Sequence, residues 1–147
     1  MKRLYTTVLA AVFALLASGA AAADFAGVVK TVRGTTSAER GTSQVALAPG
    51  TRILRGDRVV TGDDGQVGIT MRDDTLLTLG PRTELTIDTY EFDARTHDGS
   101  FLASLRRGVL SVVTGLLPKR SPESFTVKTR ISTMGVRGTE FIIDASE

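Results

Sequence analysis

Beyond residue 24 the apolar positions come in short runs and in alternation, never at sustained helical spacing. Gln66–Met71 is the clearest case. Val67, Ile69 and Met71 fall on one side and Gly68 and Thr70 on the other, the period-2 signature of a half-buried strand. Residues 26–32, Arg58–Thr61, 75–79 and 84–88 read the same way, with Leu85 and Ile87 facing one side and Tyr90 and Phe92 prolonging the last of them. Residues 45–47 make a brief run that leads into Pro49-Gly50. Further on, residues 101–105 and 109–113 flank Arg106-Arg107-Gly108 as a candidate hairpin. Phe125–Lys128 and residues 141–143 are final strands around a corner at residues 135–138.

Polar and turn-forming residues punctuate these runs. Residues 34–43 read as a soluble loop, and Gly62-Asp63-Asp64-Gly65 as a tight turn, because Gly and Asp accept left-handed dihedrals. Arg72-Asp73-Asp74 closes a predicted hairpin from Gln66 to Leu79. Residues 93–100 form a polar loop, and residues 115–123, with Pro118 and Pro122, another. A helix over residues 101–107 is the one helical alternative. Seven residues are marginal for a helix, and the β-branched residues that follow favour strand. Turns every ~8–12 residues imply a single all-β domain, either a β-solenoid-like stack or a sandwich.

The N-terminus has a different texture. Lys2 and Arg3, the apolar run 8–16 and the small residues 17–23 follow the order of a secretory signal peptide, with an A-x-A pattern at Ala21-Ala22-Ala23. The expected organisation is a signal peptide over 1–23, cleaved before Asp24, and one β domain over 24–147, placed in the periplasm or secreted. Absence of Cys excludes a lipid-modified N-terminus and any disulfide staple, so stability must come from packing and backbone pairing. The 18 Lys and Arg residues include Lys2 and Arg3, so cleavage leaves 16 of them against 16 Asp and Glu. A mature chain of zero net charge offers no support for nucleic-acid binding.

Two segments carry a recognisable pattern. One is Gly56-Asp57-Arg58-Val59-Val60-Thr61-Gly62, preceded by Gly50 to Arg55 and continued through Gly65 to Leu77-Thr78-Leu79-Gly80-Pro81. The other is Phe125-Thr126-Val127-Lys128-Thr129, followed by Gly135-Val136-Arg137-Gly138-Thr139-Glu140-Phe141. With Leu105 to Leu110 between them and Gly27-Val28-Val29 near the start, the chain resembles the FecR-like family, the periplasmic domain of ferric-citrate-type regulators. The resemblance implies an all-β, non-catalytic domain that recognises a periplasmic ligand or the periplasmic domain of an outer-membrane transporter. The chain departs from the family at Asp73-Asp74, where Asp-Gly is usual, and at Arg130 and Ser132, where Pro and Ala are usual. Where the regulators carry an anti-sigma segment and a membrane helix, residues 1–23 stand here. The family also runs on with further strands after its second motif.

The physics of the motif residues points to corners. Gly56 permits a turn dihedral and Asp57 accepts backbone N–H bonds beside it. Gly62 and Gly65 serve the far side of Val59-Val60. Gly135 and Gly138 bracket Val136 and Arg137, so the backbone bends while Val136 tucks inward and Arg137 ties carbonyls or a carboxylate, ahead of Thr139. These residues read as fold-defining corners, with a partner or ligand site at Arg137 as the alternative.

Candidate chemistry is sparse. Asp57, Asp63, Asp64, Asp73 and Asp74 would suit calcium if they crowded together, but their spacing fits neither the EF-hand loop nor the nonapeptide repeat. The single histidine, His97, sits in a polar stretch and reads as a solvated loop residue, which leaves no nucleophile–base pair. The expectation is no enzyme, metal or cofactor. What remains is a binding or scaffolding module, its partner an envelope protein or polysaccharide, or else a signal-sensing component. Residues 139–143 lack the Pro, bulges and inward charges that blunt sheet edges. They, or Phe125–Lys128, either form an open edge for self-association or partner-strand addition, or lie fully paired within the monomer.

Overall fold

A computed structural model describes residues 25–146; the predicted signal segment lies outside the described residues. The strands are β1 (Phe25–Arg33), β2 (Thr36–Arg40), β3 (Ser43–Ala46), β4 (Arg52–Leu54), β5 (Arg58–Thr61) and β6 (Gln66–Met71). They continue as β7 (Leu76–Leu79), β8 (Glu84–Phe92), β9 (Gly99–Val113), β10 (Phe125–Lys128), β11 (Thr133–Gly135) and β12 (Glu140–Ala145). One short helix, α1 (Leu116–Arg120), and a 3₁₀ turn (Pro122–Ser124) separate β9 from β10. The all-β class is borne out. All twelve strands join one sheet, curled into a half-barrel, which is not clearly either of the two expected arrangements, a solenoid-like stack or a sandwich.

β9 is the spine. Its first half pairs antiparallel with β8 (Leu85 opposite Leu105, Phe92 opposite Gly99) and its second half with β7 (Leu79 opposite Leu110). The Gly80 N–H donates to the Val109 carbonyl and the Val109 N–H to the Thr83 hydroxyl, so β7 and β8 follow one side of β9 end to end. Its other side takes β10 in parallel along residues 101–104 and β12 antiparallel along residues 108–113. Two arms leave this spine, β7-β6-β1-β4 and β8-β5-β2-β3. Their inner faces enclose the core, where the rings of Phe101 and Phe125 stack 4.2 Å apart among Ile53, Ile69, Leu77, Leu85 and Leu105.

The alternation read from the sequence is the alternation of burial: Val67, Ile69 and Met71 are inside, as are Leu85 and Ile87, and the β6–β7 hairpin forms as expected. Three expectations need correction. Residues 101–113 make no hairpin but one 15-residue strand. At Gly108 (φ +92°) the strand runs on without reversing; a Cβ there would lie 2.2 Å from the Thr83 hydroxyl, which accepts the Val109 N–H. The supposed loop 34–43 contains β2, whose inward positions are Thr36 and Ala38, too small and polar to register as an apolar run. The supposed loop 115–123 contains α1. Its start is capped by Asp73, which accepts the Leu116 N–H on its carbonyl and the Leu117 N–H on its carboxylate, and Pro118 sits in the first turn, where no N–H partner is needed.

Candidate functional site

The first motif builds a plug on the edge of β4. Gly56 takes φ +88° and donates its N–H to the Ile87 carbonyl. That corner drops Asp57 into a nearly closed position, 1% exposed. Its carboxylate accepts the Leu54 N–H (2.8 Å) and both Nε and Nη2 of Arg40 (2.9 and 2.7 Å), while Arg40 Nη2 also donates to the Arg52 carbonyl (3.0 Å). The bond to Asp57 raises the Arg40 pKa above its ordinary value. β4 pairs with β1 on one side only. The Arg52 carbonyl and the Leu54 N–H on its outer side, which would otherwise invite another strand, are therefore already occupied by the Arg40–Asp57 pair. Sequence reasoning singled out Asp57 and missed Arg40, for nothing local marks a partner 17 residues away.

Gly62 and Gly65 sit where the backbone runs close to Thr35. The Gly62 N–H donates to the Thr35 carbonyl at 2.9 Å, and a Cβ on Gly65 would lie 2.4 Å from that oxygen. At the second motif Gly135 ends β11 and Val136 is buried, its N–H on the Phe125 carbonyl. Gly138 takes φ +114°, and the carbonyls of Gly138 and Thr139 receive the Thr114 hydroxyl and N–H (both 2.9 Å). Thr139 and Arg137 are exposed, and Arg137 makes no hydrogen bond or ion pair among the described residues. The two motifs are thus not brought into one site: one plugs an edge, the other turns the chain into β12.

Four of the five aspartates also go separate ways. Asp57 holds Arg40, and Asp64 accepts the Thr35 N–H (3.1 Å), a bond that lowers its pKa. Asp73 is fully buried beneath the β6–β7 turn. Its carboxylate accepts the Tyr90 hydroxyl (3.1 Å), the Thr75 hydroxyl (2.7 Å), the Thr75 N–H (3.3 Å) and the Leu117 N–H (3.1 Å). This network was not foreseen. Burial first, and the Asp73 charge second, push the Tyr90 phenol far above its ordinary pKa. Asp74 occupies a left-handed dihedral (φ +65°), the conformation that glycine takes without cost. No group of three or more metal-ligating side chains occurs among the described residues. His97 is exposed, its ring stacked on Phe92.

What stays open is the outer edge of β12. The Thr114 N–H bond to the Thr139 carbonyl fixes the phase of the β9–β12 ladder. In an antiparallel pair bonded residues alternate, so Phe141, Ile143 and Ala145 face β9 while the N–H and C=O groups of Glu140, Ile142 and Asp144 face outward. No hydrogen bond satisfies those outward groups among the described residues. Ile142 is 67% exposed, and the outer face beside it presents Leu76 and Val113, paired with each other and also exposed. Beyond Asp144 the edge runs into a groove of about 830 Å³ between Met134, Ile143, Arg106 and the exposed turn residue Arg130.

A family model described as FecR protein matches residues 57–147, more than half of the chain, and the chain belongs to that family. No curated protein and no solved structure matches it. The domain is non-catalytic, as FecR-like domains are.

Proposed function

We propose that this FecR-family domain is a binding module of the bacterial cell envelope that works after export through its open β-surface. The observation that carries this reading is the contrast between two edges of the sheet, β4 at the end of one arm and β12 on the far side of the β9 spine. The β4 edge is closed by the buried Asp57 and its Arg40 partner, whereas the β12 edge is left with outward backbone groups and an exposed isoleucine. Natural sheets blunt the edges they do not use. The basic, apolar and small-residue order of residues 1–23 supports export, and FecR-like domains are typically periplasmic.

A second reading, a signal-sensing component that recognises a small periplasmic ligand or a transporter's periplasmic domain, is favoured by the regulatory character of the family. One experiment separates the two. A photo-cross-linker placed at Ile142 in the full chain, activated in intact cells and followed by mass spectrometry, should trap an envelope protein or a surface polysaccharide. Trapping a transporter's periplasmic domain supports the sensing reading. The same adducts from a probe at Lys30, exposed on β1, and none from Ile142 would overturn the edge as the working surface.

A further inference from the structure

We infer that the β12 edge takes an extended strand whose alternate residues read basic, apolar, basic, with the apolar residue opposite Ile142 and the two cations opposite Glu140 and Asp144. The inference rests on the binding-module reading and gives its partner a chemistry. Of the other outer strands, β3 is short and polar and β11 has three residues, while β4 is plugged. β12 has six residues and the large exposed side chain.

Side chains at i, i+2 and i+4 of a strand share a face, so Glu140, Ile142 and Asp144 point the same way beside Leu76 and Val113. An incoming strand sets its residues directly opposite these three, where opposite charges attract and like charges repel. A second copy is a poor occupant for that reason. Pairing two β12 strands antiparallel about Ile142 sets Glu140 of each copy against Asp144 of the other. Asp144 is held in its charged form, since the Ser146 N–H and hydroxyl both donate to its carboxylate and lower its pKa. Arg106 and Arg130 line the groove past Asp144, which restricts the incoming cations to the two positions opposite the acids.

The test uses the full chain and two peptides, Thr-Lys-Thr-Val-Thr-Lys-Thr and its counterpart with Glu in place of both Lys. Titration followed by amide exchange should show the lysine peptide binding roughly tenfold more tightly, because both cross-strand pairs change sign, and slowing exchange at Glu140, Ile142 and Asp144. Glu140→Lys with Asp144→Lys, both at exposed positions, should reverse the preference. Ile142→Pro removes an outward N–H and should abolish binding of either peptide with the fold intact. Equal binding of the two peptides, or no protection at β12 with either, overturns the proposal. So does protection that grows with protein concentration alone, which identifies a second copy as the occupant. A failed titration beside a positive cross-link at Ile142 sinks the charge rule and leaves the binding module standing.

Discussion

Two buried carboxylates do most of the work that the sequence motifs only hinted at. Asp57 seals an edge, and Asp73 gathers the β6–β7 turn, β8 and the start of α1 around a single side chain. A buried carboxylate is tolerable only when its lone pairs are met by donors; Asp57 has three and Asp73 four. The Tyr90 hydroxyl is one of them and also accepts the Asp73 N–H (3.0 Å), so it is held between the turn's backbone and its carboxylate. This arrangement makes stability sensitive to alkali. The folded phenol titrates well above the ordinary phenol value of about 10. Above that value the unfolded chain has lost a proton that the folded chain still holds, so stability is full below about pH 10 and falls as pH rises beyond it. Urea melts from pH 8 to 11 should show this slope. Tyr90→Phe should flatten it while lowering stability at pH 8 by about 1–3 kcal/mol, because Asp73 loses a donor in a closed site. An unchanged slope in the variant would assign the alkaline loss to other groups.

At the scale of elements, what could be read from the sequence depended on whether a strand's inward residues are large. β6, β7 and β8 put Val, Ile, Leu and Met inside and were legible as alternation. β2 turns Thr36 and Ala38 inward and was not, and β4, three residues after a Pro-Gly turn, offered no period at all. In β9 the Arg106-Arg107-Gly108 sequence looks like a reversal. Only the partner strands, laid end to end, keep the chain going straight. The helix α1 was invisible because its cap comes from Asp73, 44 residues before Leu117. The open edge was one of two alternatives in the sequence, and the ladder phase separates them with a pair of substitutions. The Phe141 N–H faces β9, so Phe141→Pro leaves the Val112 carbonyl unpaired and should cost about 1–3 kcal/mol. The Ile142 N–H faces outward, so Ile142→Pro should cost no more than about 1 kcal/mol. Equal losses in chemical denaturation would show that the phase is wrong and that Ile142 is bonded within the monomer.

At the scale of the whole molecule the family match and the folding unit do not coincide. The match begins at Asp57, yet β1 lies between β4 and β6, and β2 between β3 and β5. The segment 25–56 therefore supplies the two outer strands of each arm. Without it β5 and β6 each lose a full partner strand and become edges, which invites strand addition between molecules. The core loses Ala26, Val29, Ala38 and Ile53, all fully buried. Asp57 loses Arg40, and with it the charge that balances an almost closed carboxylate. A domain of this size is stable by only about 5–15 kcal/mol, and burying a single Ile or Val side chain contributes about 1.5–3 kcal/mol. Losing four core residues and an ion pair together is thus enough to unfold it. A fragment of residues 57–147 should therefore lack a cooperative thermal transition and aggregate on concentration. Adding a separate chain of residues 25–56 should restore both the transition and the protection of amides in β5 and β6. A sharp, reversible melt from the fragment alone would show that the β9 spine with β5–β8 and β10–β12 is a complete domain, and that the first four strands are an addition docked on its surface.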